Sequence, residues 1–283
     1  MQNLTYMKPS DMDQLREALA SAQGAEAIIA GGTNLLPIMR EEPLQAKVLV
    51  DISGVQGLTA IQEEQGRILV GAAAAMAEIE KNSLVLEKAP LLAQAAGRLG
   101  NPMTRNRATI GGNIANASPA ADSAPPLLAL DASVHLTGPS GEVDMPLEDF
   151  FLEYREIDLK PGQVITHFSF ATPPANARQG FAKLGLRDGA SISVVSLAWL
   201  VVMDGGVCTR ARAALGSVAP IPMRAPKTEA ALENGKLDRQ LIQRAVEILR
   251  KEIAPVSDVR ASAEYRRHAA GVLLERSLLT VLD

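Results

Sequence analysis

Residues 109–131, TIGGNIANASPAADSAPPLLALD, constrain this chain more than any other stretch. A β-branched pair, Thr109 and Ile110, runs into Gly111 and Gly112. Asn113 follows, then a run of small residues and one carboxylate, Asp122, held among prolines. Paired glycines remove Cβ where the backbone must turn sharply or approach another molecule closely. Successive N–H groups in such a turn form an anion-binding concavity without a side-chain cation. Residues 28–40, IIAGGTNLLPIMR, echo the pattern: a short apolar run breaks at Gly31-Gly32 and leads into a short helix. Either glycine pair alone reads first as an ordinary tight turn. Two strand–GG–polar segments in one chain suggest two backbone cradles around one phosphate-bearing ligand.

Neither segment fits the commoner nucleotide motifs. There is no GxxxxGK followed by Ser or Thr, and no GxGxxG after the first strand, so neither a P-loop nor a Rossmann dinucleotide site is supported. A length of 283 residues allows one large or two modest domains. A net charge of −4 and an aromatic content of 3% offer neither a basic face nor stacking surfaces for nucleic acid. The single Cys208, in a valine-rich stretch, excludes an internal disulfide and a Cys₄ cluster and reads as an inert strand residue. Residues 1–11 lack the basic region and apolar run of a signal peptide. The longest apolar segment, 194–203, is too short to span a bilayer. A soluble cytoplasmic protein is the expectation.

In chain order, Leu15, Ala18, Leu19 and Ala22 recur at helical spacing after Ser10-Asp11. Strands are predicted at 26–30 and 47–52, giving a small β–α–β–α–β opening. Strands at 58–61 and 67–71, a helix over 87–100, and the turn-rich NPMTRNR of 101–107 then deliver the chain to the second cradle. Arg105 and Arg107 could approach a diphosphate, but exposed loop arginines are usually just solvated. A short helix at 127–130, a hairpin of 134–137 and 142–145, an apolar piece at 150–154 and a strand at 163–171 follow. TPPANARQ, 172–179, is the linker. Beyond it lie strands at 180–184, 192–203 and 207–215, the last two joined by Asp204-Gly205-Gly206. Two long helices, 239–253 behind Asp238 and 263–282, complete an α+β module.

No catalytic constellation emerges. His135, His167 and His268 show no metal-ligand spacing, and His167, in an apolar strand, reads as a hydrogen-bonded core histidine. GxSxG is absent, and no carboxylate pair stands out. The chemistry is therefore assigned to a cofactor, with the protein supplying binding, orientation and electrostatics.

Ala30-Gly31-Gly32-Thr33 with Met39, and Thr109-Ile110-Gly111-Gly112-Asn113 with Ser118-Pro119 and Asp122, resemble the two FAD-binding signatures of the molybdenum hydroxylase flavoprotein (medium) subunits. That family includes the FAD parts of xanthine and carbon monoxide dehydrogenases. The resemblance continues through Phe150-Phe151, Tyr154-Arg155, Leu159-Lys160-Pro161-Gly162, Lys183, Arg187, Asp258-Val259-Arg260 and Tyr265-Arg266, and so covers nearly the whole chain. It implies an α+β fold: a two-part FAD-binding domain of the p-cresol methylhydroxylase type over 1–175, with subdomains of about 1–55 and 56–175. A smaller sheet-plus-helices C-terminal domain occupies 176–283.

The resemblance also implies non-covalent FAD, with contacts from Ile28, Ile29, Ala30, Gly31, Gly32, Thr33, Asn34 and Leu35 and from Thr109, Ile110, Gly111, Gly112 and Asn113. Both GG turns would give N–H donors to the pyrophosphate, and Asp122 would give the ribose diol charge-assisted acceptors. Ile165 and Lys183 align with flavin-proximal positions. Leu99 stands where animal xanthine dehydrogenases carry an aromatic near the isoalloxazine, so flavin potential and acceptor choice do not carry over. No residue of this chain is expected to be catalytic or to bind metal. The implied function is an electron relay in a heterotrimer or its dimer. A molybdenum-cofactor large subunit oxidises the substrate and a small subunit with 2Fe-2S clusters passes electrons on. FAD then delivers them to an external acceptor. Two alternatives stay open: a stand-alone FAD-dependent reductase on a similar fold, and an assembly subunit that has lost FAD.

Overall fold

A computed structural model describes residues 4–282. The chain opens with β1 (Thr5–Met7), α1 (Met12–Ala22), β2 (Glu26–Ile29), α2 (Leu35–Glu41) and β3 (Val48–Asp51). The strands form a parallel sheet in the order β1-β3-β2. Asp11 caps α1 by accepting from the Gln14 N–H at 2.9 Å, and Leu15 and Leu19 are fully buried against Val50, Ile52, Val55 and Leu58. The helical spacing read from the sequence is therefore the packed face.

The second layer comprises β4 (Ile61–Glu64), β5 (Arg67–Gly71), α3 (Met76–Lys81), α4 (Ser83–Lys88), α5 (Pro90–Arg98), α6 (Pro102–Arg105), α7 (Ile110–Ala115) and α8 (Ala124–Ala129). It continues with β6 (Ser133–Gly138), β7 (Gly141–Pro146), α9 (Leu147–Phe150), β8 (Phe151–Glu153), β9 (Glu156–Ile157) and β10 (Val164–Ala171). Its five-stranded sheet runs β4-β5-β10-β6-β7, with Phe150, Phe168 and Phe170 fully buried in the core. Several boundaries differ from the reading above. A strand begins at Ala177, inside the expected linker 172–179. The short helix is Ala124–Ala129 instead of 127–130, because Pro125 and Pro126 fit a helix's first turn, where no N–H is needed. Pro102–Arg105 of the turn-rich segment form one helical turn behind the Asn101 cap. The single helix over 87–100 is split, because Pro90 has no N–H to continue α4 and instead opens α5. The first strand of the pair starts at Ile61, three residues later than 58, because Leu58 turns inward to the core under α1.

The third layer holds β11 (Ala177–Gly185), β12 (Ser193–Asp204), β13 (Val207–Gly216), β14 (Met223–Arg224), α10 (Pro226–Leu232), β15 (Gly235–Lys236), α11 (Arg239–Glu252) and α12 (Ala263–Leu279). β12 reads as a continuous apolar run because both faces are covered. Val195, Leu197, Trp199 and Val201 join the core under the C-terminal helices, while Ala198 and Leu200 join the core of the preceding layer. Asp131, after α8, adds a polar tie: it accepts from Arg210 at 2.6 Å, Arg212 at 3.0 Å and Arg224 at 2.6 Å. Burial pushes the Cys208 thiol up to about 11, in keeping with an inert strand residue.

His135 and His167 sit opposite each other on β6 and β10, so their rings share one face of the sheet and stack at 4.0 Å. The Thr166 hydroxyl donates to the His135 carbonyl, which leaves it to accept the His167 Nδ1–H at 3.0 Å. His167 is hydrogen-bonded as expected, but half-buried rather than in the core. Burial and the neighbouring His135 hold it below the usual 6.5, against the opposing pull of Asp144 and Glu142. A histidine whose folded pKa is depressed stabilises the fold above its unfolded pKa, and that contribution is lost as pH falls. Thermal melts should therefore drop more steeply below pH about 6.5 for the wild type than for His167→Gln. Parallel profiles for the two would refute this.

Candidate functional site

A cleft of about 600 Å³ runs between the first and second layers and under the start of β12. Its first wall is the connection from β2 to α2. The N–H groups of Gly31, Gly32, Thr33 and Asn34 donate to no acceptor among the described residues, and Gly32 turns the chain at φ +71°. Consecutive unsatisfied N–H groups in such a turn form a preorganised anion seat. Gly31 is required by contact: a Cβ there would lie 1.8 Å from the Arg107 carbonyl oxygen, across the cleft floor.

The second wall is α7. Here the expectation of a tight turn with free N–H groups is corrected. Thr109 is a helix N-cap, accepting from the Gly112 N–H at 3.2 Å, and Gly111 and Gly112 form the first turn of the helix. The Ile110 and Gly111 N–H groups donate to the Ala74 and Ala72 carbonyls at 3.1 and 2.8 Å. They are spent on packing the helix against the sheet. A Cβ on Gly111 would meet the Ala72 Cβ at 2.7 Å, so this glycine serves close approach of backbone to backbone, not to a ligand. What the wall offers is side chains. Asn113 Oδ1 accepts from the Ser123 N–H and hydroxyl at 3.2 and 2.6 Å, leaving its NH₂ as the donor still available. Asn34 Nδ2 donates to Asn116 Oδ1 at 2.8 Å and so bridges the two walls.

Asp122 lies at the inner end, almost wholly buried. Lys183 Nζ, on β11, donates to its Oδ2 at 2.5 Å, and Ser193 Oγ, on β12, donates to its Oδ1 at 2.7 Å. Lys183 also donates to the Arg98 carbonyl at the end of α5, at 3.1 Å, where a cation complements the exposed carbonyls. Burial pushes the Asp122 carboxyl up, and Lys183 and Ser193 oppose that shift. Each carboxylate oxygen accepts one internal hydrogen bond and keeps a lone pair for a further donor.

Residues 28–35, Leu99, Thr109, Gly112, Asn113 and Asp122 line the cleft together. Ile110 and Gly111 stand behind its wall, Ile165 is in the apolar core of the five-stranded sheet, and Lys183 reaches the cleft only through Asp122. Arg105 is paired with Glu80 at 2.9 Å. Sequence reasoning left Asn116, Arg155 and Ile192 out of the site, although all three line it. Only tertiary packing brings Asn116 and Ile192 there; for Arg155 the resemblance gave a direction, since it implies that the adjoining 150–154 segment passes close to the flavin region. Among the described residues no group of three or more His, Cys, Asp or Glu side chains is placed to hold a metal.

The arrangement has a counterpart in known proteins. Residues 2–173 match the family described as the FAD binding domain in molybdopterin dehydrogenase, and residues 181–281 match the CO dehydrogenase flavoprotein C-terminal domain. This chain belongs to the FAD-binding medium subunits of the molybdenum hydroxylase family. It is 30% identical to the carbon monoxide dehydrogenase medium chain of Afipia carboxidovorans over 92% of this chain and 91% of that one. Identity to the xanthine dehydrogenase FAD-binding subunit of Escherichia coli O157:H7 is also 30%, over 85% and 83% of the two chains. Among solved structures, carbon monoxide dehydrogenase from Hydrogenophaga pseudoflava superimposes with a TM-score of 0.92 at 29% identity, covering 98% of this chain and 96% of that one. Quinoline 2-oxidoreductase from Pseudomonas putida 86 gives 0.91 at 26%, with the same coverage. The FAD-binding domain and C-terminal domain expected from the sequence are thus both present, and the subunit is an oxidoreductase component whose cofactor is FAD. The cleft fits that cofactor: free N–H groups for a diphosphate, a buried carboxylate with spare lone pairs for a diol, and the aliphatic Leu99 wall for a ring. Among the described residues, no helix is long and apolar enough to cross a membrane.

Proposed function

We propose that this subunit is the electron-transfer component of a multi-subunit molybdenum-dependent dehydrogenase, taking electrons from a 2Fe-2S subunit and passing them to an external acceptor. The observation that carries the reading is a mismatch. The cleft is equipped to hold a cofactor, yet the one carboxylate that lines it, Asp122, is already held by Lys183 and Ser193, and no metal-ligand set is found among the described residues. When bound, FAD supplies the ability to accept electrons singly and deliver them in pairs. The chain's own residues do the rest. Gly31 to Asn34 seat the diphosphate through backbone N–H groups, Asp122 accepts from the ribose diol, and Asn113 and Asn116 hold the second wall. Leu99, 8% exposed, keeps water from the inner end. Neither glycine segment contains Cys or His to form a covalent link.

Two measurements test this. Denaturing the purified yellow protein should release all of its flavin as FAD; flavin staying with the unfolded chain, or FMN released instead, would count against the site. The isolated subunit should pass electrons only from artificial donors. Adding the 2Fe-2S and molybdenum subunits should let substrate bleach the flavin. A complete complex whose flavin stayed oxidised under excess substrate would end the relay reading.

A further inference from the structure

The strand that delivers the chain to the first wall of the cleft is an edge strand. β2 pairs with β3 alone, and among the described residues no strand lies on its other side. A strand laddered on one edge only is free to pivot about its neighbour, and such a pivot would carry Gly31 to Asn34 with it. Their position against α7 therefore depends on what fastens β2 to the second layer.

Contacts at both ends of the strand do so. Beyond its C-terminal end are those of the cleft itself, the close approach of Gly31 to the Arg107 carbonyl and the hydrogen bond from Asn34 to Asn116. At the N-terminal end, outside the cleft, Glu26 Oε1 accepts from the Gly162 N–H at 2.6 Å. Gly24, just before the strand, passes so near Pro161 that a Cβ on it would lie 3.0 Å from the Pro161 Cβ.

The turn that Glu26 grips is stiff. Gly162 turns the chain at φ +83°. The Gln163 N–H donates to the Lys160 carbonyl at 3.0 Å, and Gln163 Oε1 accepts from the Lys160 N–H at 2.9 Å. The turn runs directly into β10, whose first residue, Val164, is buried in the core beneath α1. A backbone N–H donating to a carboxylate makes one of its stronger hydrogen bonds, so the link ties β2 firmly to the second layer.

Glu26 is a poor choice for stability alone. Its Oε2 is sealed from solvent and has no hydrogen-bond partner among the described residues, and a buried oxygen left unpaired costs free energy. Its charge also repels a diphosphate, so electrostatics by itself predicts tighter FAD binding when the charge is removed. What the side chain contributes is reach, a fixed span from β2 to the Gly162 N–H.

We propose that Glu26 is a positioning residue for FAD: by holding the far end of β2 on Gly162, it keeps Gly31 to Asn34 in register with the second wall. This rests on the reading that Gly31 to Asn34 seat the diphosphate.

The test measures FAD affinity, and the melting midpoint of the FAD-free full chain, for wild type, Glu26→Asp, Glu26→Gln and Glu26→Ala. Aspartate keeps the charge but falls one methylene short of Gly162; glutamine loses the charge but keeps the reach and an acceptor oxygen. Glu26→Asp and Glu26→Ala should bind FAD about tenfold more weakly, and Glu26→Gln should recover most of that affinity. The melting midpoints should not follow the same order. Wild-type affinity in Glu26→Asp would overturn the proposal. So would tighter binding in both Glu26→Gln and Glu26→Ala, the order that charge alone predicts, or an affinity that falls only in step with the melting midpoint. If Glu26→Ala does not fold, the Asp and Gln pair decides the question. Gly31→Ala tests the underlying reading separately. Full FAD content there fails the seat, whereas loss of FAD there with wild-type affinity in Glu26→Asp fails the role of Glu26 alone.

Discussion

Asp122→Ala is expected to unfold the site as well as weaken the cofactor. The substitution leaves Lys183, whose side chain is 6% exposed, without its carboxylate, and deprives Ser193 of its acceptor. Breaking one partner of a buried ion pair costs about 3–5 kcal/mol, which for a chain of this size lowers the melting midpoint by roughly 10 °C. Loss of the ribose contact removes about 1.5–3 kcal/mol from the free energy of FAD binding. Two companion variants separate these effects. Asp122→Ala with Lys183→Met removes both charges and should regain much of the melting temperature without regaining FAD affinity. Asp131→Ala removes a carboxylate outside the cleft that binds three arginines, and should lower stability with little effect on the affinity for FAD. An Asp122→Ala protein that melted like the wild type would show that the Lys183 pair contributes nothing to the fold.

Gly31→Ala should empty the cleft. The added methyl carbon would sit 1.8 Å from the Arg107 carbonyl oxygen, and the obstacle is backbone, so no rotamer change relieves it. The β2–α2 connection must move away from residues 107–113, pulling the free N–H groups off their seat and separating the two walls. Overpacking of this kind costs about 1–3 kcal/mol. The effect on FAD is larger, because the cradle works only when both walls are in register. Flavin content after purification should fall to about a tenth or less. Gly54→Ala is the comparison: its nearest neighbour is the flexible Lys8 side chain at 3.3 Å, and flavin content should stay at the wild-type level. Full FAD content in Gly31→Ala would mean that the connection tolerates displacement and that the seat lies elsewhere.

Local signals on this chain were strong where one element buries one face. Leu15, Ala18, Leu19 and Ala22 announced α1, Asp238 announced the start of α11 by its cap on the Leu241 N–H at 2.8 Å, and Asp204-Gly205-Gly206 announced the β12–β13 hairpin. The second glycine pair was legible as an essential close approach but not as to what it approaches. A Gly-Gly pair after a β-branched residue is compatible with a turn or with the first turn of a helix. The choice fell to Ala72 and Ala74, nearly forty residues upstream, whose carbonyls accept the Gly111 and Ile110 N–H groups.

What the sequence determined by itself is the kind of site: two glycine-bearing segments whose order and flanking residues carry the resemblance to an FAD-binding family, and with it the cofactor. Glycine spacing and the motifs around it are properties of the chain alone. What only the tertiary structure decided is how the site is divided. One segment presents free N–H groups and the other spends them on packing. Asp122 belongs as much to Lys183 and Ser193 as to the cleft. These depend on which carbonyl or ammonium group arrives from a distant strand. Hydrogen-bond partners separated by sixty or seventy residues leave no periodicity for a sequence to show.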